Sequence, residues 1–459
     1  MGADHSRPAP STPPRVRRIL VATVVPLVLA TVVAALLLWP WNAPEPADGS
    51  DVPRYHGTVT RVVSEPCPPA PPTPEGTPGT GSPGVCGTVG VKVEDGPAAG
   101  RQVEAPIPDG PGAPTVAVGD EIILVELTDP ADPSASSWNI AEHQRGKPLL
   151  WLAVVFAAAI VAFGRWRGVA ALAGLAASFA ILLGFVLPGI SAGSPPLLVA
   201  VVGAALIMFV VLYLTHGVTA QTSVAVLGTL GSLVLTGVLG TIATAATHLT
   251  GFGSEDATTL SMFQADVDLH GLLLAGIIIG SLGVLDDVTV TQAATVTELA
   301  HANPGLSRLQ LYRAATRVGR AHIASTVNTI VLAYAGASLP LLLLLTADSR
   351  GAAQILTSEF LAQEIVRSAV ATLGLIAAVP LTTALAALVT TAGRHGAADR
   401  DAGPPAPTPP PPAARPAPDR AEALEALSAG RHGRTLDPDP PLAARPGRPE
   451  PDRRTDSAW

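Results

Sequence analysis

Eight apolar runs decide most of what this chain can become: residues 19–39, 148–163, 169–187, 197–214, 219–248, 269–285, 323–346 and 366–391. A hydrocarbon layer of ~30 Å is crossed by about 20 apolar residues of helix. A backbone inside lipid must satisfy its own hydrogen bonds, which leaves only helices or a closed barrel, and runs of this length predict helices. Charged residues make up 14% of the chain, against roughly 25% in soluble domains. The expected fold class is therefore an α-helical polytopic membrane protein of about eight transmembrane helices, with a small extracytoplasmic β-rich domain between the first and second spans.

Residues 1–18 are polar and Pro-rich and end on Arg15, Arg17 and Arg18, which predicts a disordered cytoplasmic N-terminus. The run 19–39 is longer than a signal-peptide core and no A-x-A site follows it, so it reads as an uncleaved anchor. Residues 40–147 turn polar, and alternating runs at 56–63, 88–93, 101–104 and 121–127 predict four or five short strands forming an OB-like barrel or sandwich. Cys67 and Cys86 lie in this segment. A disulfide between them would close a Pro/Gly-rich loop and contribute on the order of 3 kcal/mol, whereas the spacing zinc prefers, with a nearby His, is lacking.

Residues 148–392 hold the remaining seven spans, with a polar cytoplasmic-side segment at 286–321; residues 393–459 read as a disordered Pro-rich cytoplasmic tail. Alternating the sides from a cytoplasmic N-terminus places Arg165, Arg167, Arg308, Arg313, Arg317, Arg320, Arg394 and Arg400 inside. The acidic loop bearing Glu255, Asp256, Asp266 and Asp268 falls outside. Every short loop thus obeys the positive-inside rule, which gives a protein of the cytoplasmic membrane with both termini inside. The run 219–248 is too long for one upright helix. Its Gly228, Gly231, Gly237 and Gly240 predict close helix packing, with a tilted or broken helix as the alternative.

Polar groups at the mouth of an apolar bundle are costly unless paired, hydrated or used, and they gather after residue 285. If the helix continues there, Asp287, Thr291, Thr295 and Glu298 share one face, while Asp286 and Gln292 lie on others. His322 and Asn328 open the next span. These eight residues form the candidate ion, proton or substrate site, since carboxylates and hydroxyls can relay protons or hold a hard cation. The plainer alternative is a surface helix whose acids pair with Arg313, Arg317 and Arg320.

No catalytic, metal or cofactor site is expected. Gly189-Ile-Ser191-Ala-Gly193 matches G-x-S-x-G only literally, in a loop after Pro188. No Gly-Lys-Ser/Thr phosphate loop occurs, and no basic patch interleaved with aromatics points to nucleic acid.

The segments GVLDDVTVTQ (283–292) and HIASTVNTIVLAY (322–334), with Glu298 between them, resemble the signature of the YibE/F-like bacterial membrane proteins, over roughly residues 54–391. The resemblance implies a permease whose substrate is not established, and it brings no catalytic residues. The leading expectation is a permease or ion-coupled transporter of unknown substrate. The alternative is a non-transporting envelope assembly or scaffold protein acting through its outer domain and tail. Expected partners are the lipid bilayer, an unknown ion or small solute, and a protein docked on the outer domain or tail. Gly276-x-x-x-Gly280 serves either a homo-oligomer or packing inside one bundle.

Overall fold

The structure, a computed structural model, describes residues 14–41, 53–66, 85–108, 113–129, 132–264, 266–346 and 351–401. The N-terminal thirteen residues, Cys67 and the tail from 402 lie outside the described residues. Cys86, in the second strand, is not a free thiol.

The polar N-terminal segment folds as one antiparallel sheet of β1 (Arg54–Pro66), β2 (Val85–Val93), β3 (Gln102–Pro106), β4 (Glu121–Asp129) and β5 (Asp132–His143). Its order is β3-β2-β1-β4-β5, and β3 also approaches β5. Period-two alternation puts Val59, Val89, Val91, Val93, Ile122 and Leu124 in its core. The four expected strands are present. The fifth, β5, has little alternation to announce it, because its Ser-rich start leaves Ile140 as its buried apolar residue.

His56 and Asp95 tie β1 to the turn after β2. The Asp95 carboxylate accepts from the His56 backbone N–H at 2.7 Å and pairs with its ring Nδ1 at 2.6 Å. The side-chain bond to His56 is the main cause that holds the Asp95 carboxyl below its ordinary value. A depressed native pKa means the contribution is complete above the unfolded carboxyl value of about 3.9 and fades as pH falls through the native one. Both side chains are about half exposed, so solvent screening keeps the effect small. The hydrogen-exchange protection factor of the 54–66 peptide is expected to be flat from pH 7 to 5, with a slight loss below about pH 4. Asp95→Asn should remove that acid limb.

The helices follow in order: α1 (Pro14–Leu37), α2 (Gly146–Gly164), α3 (Trp166–Ile181), α4 (Leu187–Ser191), α5 (Pro196–His216) and α6 (Ala220–Ala246). Then come α7 (Glu255–Phe263), α8 (Leu269–Ala302), α9 (Arg308–Ala337), α10 (Leu339–Thr346), α11 (Ala352–Leu356) and α12 (Glu359–Asp401). A π turn at Leu182–Val186 joins α3 to α4. Among the described residues, seven helices are long and apolar enough to cross a membrane: α1, α2, α3 with α4, α5, α6, α8 and α12.

The eighth expected span, 323–346, is not one of them. Its apolar half is divided between the end of α9 and α10 by a break at Ser338, with Pro340 in the first turn of α10. Its other half shares α9 with Arg308, Arg313, Arg317 and Arg320. The long run 219–248 is not broken either. It forms a single helix whose first turn is capped by Thr219, accepting from the Thr222 N–H at 3.0 Å. At the other end, α12 continues to Asp401, past the expected start of the tail at 393.

Helices α6, α8 and α12 form the centre, with Leu233, Ile278, Leu282, Leu285, Leu375 and Ala378 buried together. Two glycines bring α6 and α12 close in a reciprocal way. Gly228 of α6 packs on Thr382 of α12, and Gly374 of α12 packs on Thr236 of α6; a Cβ at either glycine would overlap the opposing threonine hydroxyl. The anchor α1 is part of the bundle. Its Val16 and Leu20 pack with Val296, Ala300, Leu311 and Ala386. By contrast α2 buries no residue. It turns back onto α3 through Arg165, whose φ of 53° reverses the chain within one residue.

Candidate functional site

The polar segment after residue 285 continues α8 to Ala302 without interruption. Asp268 caps its start, accepting from the Gly271 N–H at 3.0 Å. Asn303 ends it, and Ser307 opens α9 with a capping box: the Ser307 hydroxyl accepts from the Gln310 N–H at 3.4 Å, and Gln310 Oε1 accepts from the Ser307 N–H at 2.9 Å. A short connection therefore folds α9 back beside α8 and brings residue 322 level with residue 287.

The expected stripe does share a face. Asp287, Thr291 and Glu298 are exposed and Thr295 is half-buried. The same face runs toward the helix start through Gly276, Gly280 and Gly283, all exposed. His322 of α9 lies beside it, with Nε2 3.9 Å from Asp287 Oδ2 and side-chain exposures of 40% and 72%. Glu298 is three turns further along α8, and Asn328 is exposed further along α9, so neither joins that pair. Arg313, Arg317 and Arg320 are exposed, and the acid facing α9 meets His322 instead.

Of the two residues on other faces, Gln292 is buried and Asp286 is partly buried. Gln292 lies among three helices, its Nε2 donating to Ala315 O of α9 at 2.9 Å and to Thr383 Oγ1 of α12 at 2.7 Å. Gly319 leaves room for it, since a Cβ there would press on Gln292 Oε1 and Val379. This is a latch between helices. Gln292→Leu is expected to cost about 1–3 kcal/mol, as buried partners lose their bonds, read as a lower melting temperature in detergent with Asp287 untouched.

Asp286 turns away from the stripe into a cavity of about 380 Å³ between α3, α5 and α8. Leu175, Phe179, Leu182, Met208 and Ile279 line it, with Ser178 and Asp286 as its polar members. The Ser178 hydroxyl already donates to Gly174 O at 2.9 Å. Asp286 Oδ1 is buried and has no hydrogen-bond partner.

Sequence reasoning missed a second polar group. Arg367 of α12 donates from Nη1 to Glu364 Oε1 at 2.8 Å, while its Nε is buried without a partner. The far end of its guanidinium faces Gly276, and the Tyr334 hydroxyl of α9 faces Gly280. The pair Gly276-x-x-x-Gly280 therefore packs against side chains of its own bundle. The available signal was an Arg and a Glu three residues apart at the edge of an apolar run. Among the described residues no three His, Cys, Asp or Glu side chains gather as a metal site would require. A lone carboxylate beside an imidazole is better suited to passing a proton than to caging a hard cation.

No curated protein and no solved structure matches the chain. A family model, YibE/F-like protein, matches residues 152–392, a stretch that takes in every helix lining the stripe and the cavity but leaves out the N-terminal sheet. Its match extends over more than half of the 459 residues and includes both segments on which the resemblance was seen. The apolar helices mark a membrane protein, and the chain belongs to the YibE/F-like family.

Proposed function

We propose that the protein is a permease or ion-coupled transporter of the cytoplasmic membrane, with its path along the exposed face of α8. The observation that carries this reading is the stripe itself. From Gly276 to Glu298 it runs about 33 Å at ~1.5 Å per residue, bare of large apolar side chains and bearing Asp287. Lipid tails do not solvate a carboxylate, whereas a hydrated path does. The Glu364–Arg367 pair with Tyr334 stands along one part of this face and Asp287 with His322 along another. Two separated polar stations suit stepwise passage of a proton or small ion.

The arrangement of helix ends supports a topology with both termini inside. Val16 and Leu20 of α1 share a core cluster with Ala300 and Leu311, which places Arg15, Arg17 and Arg18 at the same end as the arginines of α9. The outer sheet, with β3 near β5, supports the OB-like barrel.

Purified protein in proteoliposomes holding a pH dye, scanned with Na⁺, K⁺, Mg²⁺ and Ca²⁺ gradients, should show proton movement driven by at least one cation. Silence in every gradient, with cellular function lost only on deletion of residues 54–128, would replace this reading with a scaffold acting through the outer domain.

A further inference from the structure

The cavity between α3, α5 and α8 meets the path just described at Gly283, and its chemistry is narrow. We propose that it is a binding site for a monovalent organic cation with an apolar body, the charged nitrogen seated on Asp286. Its volume of about 380 Å³ falls within the range of small-molecule pockets, ~300–1,000 Å³. Its walls are aliphatic apart from Phe179, whose ring face can attract a cation. Its one charged lining group is Asp286, and Oδ1 of that carboxylate is buried with no partner.

A carboxylate oxygen enclosed without a counter-charge is unfavourable, and among the described residues no cationic side chain lines the cavity. The missing partner is thus supplied from outside. A lipid acyl chain would fill the space and leave Oδ1 bare. An inorganic cation would meet one carboxylate and a hydroxyl already engaged with Gly174, far short of the six to eight oxygens a hard cation takes. An alkyl or aryl ammonium satisfies both demands at once, burying apolar surface on the walls and pairing its charge with Asp286.

The route of entry fits the same ligand. Ala171, Leu175 and Phe179 of α3 line the cavity and are also exposed on the flank of the bundle, so an amphiphilic cation dissolved in the bilayer reaches it sideways. Leu182 of the π turn completes the wall, and single π turns recur at functional sites.

The test is equilibrium binding of tritiated benzyltrimethylammonium, an aryl-bearing ammonium, to the full chain in lipid nanodiscs, with empty nanodiscs subtracted. No gradient is applied, so the result stands whether or not the protein transports. Wild type is expected to show saturable binding near one probe per chain. Asp286→Asn should weaken it at least tenfold. Ala171→Phe narrows the cavity from α3 with Asp286 intact and should weaken it comparably, whereas Asp287→Asn should bind as wild type does. Size-exclusion profiles show that each variant remains folded. Absence of saturable binding to wild type overturns the proposal. So does binding that survives both Asp286→Asn and Ala171→Phe.

Discussion

Asp287→Asn is expected to reduce cation-driven proton movement in proteoliposomes to the level of empty vesicles, while the protein inserts and folds as before. The substitution keeps the shape of the side chain and removes its charge and its capacity to hold a proton. Folding should be indifferent, because Asp287 is 72% exposed and the His322 ring beside it stands 3.9 Å away. Surface changes of this kind usually stay within about 0.5 kcal/mol. Transport should not be indifferent, since Asp287 is the carboxylate on the open face of α8 nearest an imidazole, and a carboxylate beside an imidazole can pass a proton. His322→Gln should impair the same flux, and Glu298→Gln, three turns away on the same face, should leave it in place. Wild-type flux in Asp287→Asn would remove the pair from the mechanism.

Gly374→Val is expected to prevent stable assembly of the bundle, with a cost near the upper end of the ~1–3 kcal/mol typical of overpacking. Even a single methyl group at Gly374 would overlap Thr236 Oγ1. That hydroxyl cannot easily yield, because Thr236 is fully buried and donates to Ser232 O at 2.8 Å. The contact has a counterpart where Gly228 meets Thr382, so a shift that relieves one end tightens the other. Retention of a monodisperse peak after heating in detergent should fall sharply for Gly374→Val and less for Gly374→Ala. Adding Thr236→Ala should rescue much of the Gly374→Ala loss, a coupling that a double-mutant cycle reads directly. Independent, additive effects would show that the helices do not meet there.

The sequence announced elements better than it announced their orientation. Apolar length located the long helices, and alternation located β1 to β4, because each signal is internal to its own segment. The break at Ser338 escaped, since the apolar run passes through it and only Pro340 hints at it. For the site, helical periodicity grouped Asp287, Thr291, Thr295 and Glu298 correctly on one face but carried no phase reference. Three helix sides can meet protein, lipid or water, and nothing local says which. Of the candidates on other faces, Gln292 is buried and Asp286 is partly buried with its Oδ1 enclosed. The latch at Gln292 depends on Ala315 and Thr383, and the cavity at Asp286 on α3 and α5, partners distant in sequence.

The unbroken length of α8 has a mechanical consequence. It contains no proline from Leu269 to Ala302 and extends about 51 Å at ~1.5 Å per residue. Asp286, Asp287 and Gln292 therefore ride on one stiff post, bolted along its length to α6 and α12. Bending it at the carboxylates would break hydrogen bonds in the middle of a regular helix, and no proline or π turn stands there to ease it. Opening and closing must then belong to the parts hung on that post: α9, which buries only Leu311, Ala315, Gly319 and Ile330 and gives way at Ser338, and α3, which slackens at its π turn. If the protein moves solutes as proposed, it does so as a fixed frame with two movable parts, α9 beside the open face of the post and α3 beside the cavity on its flank.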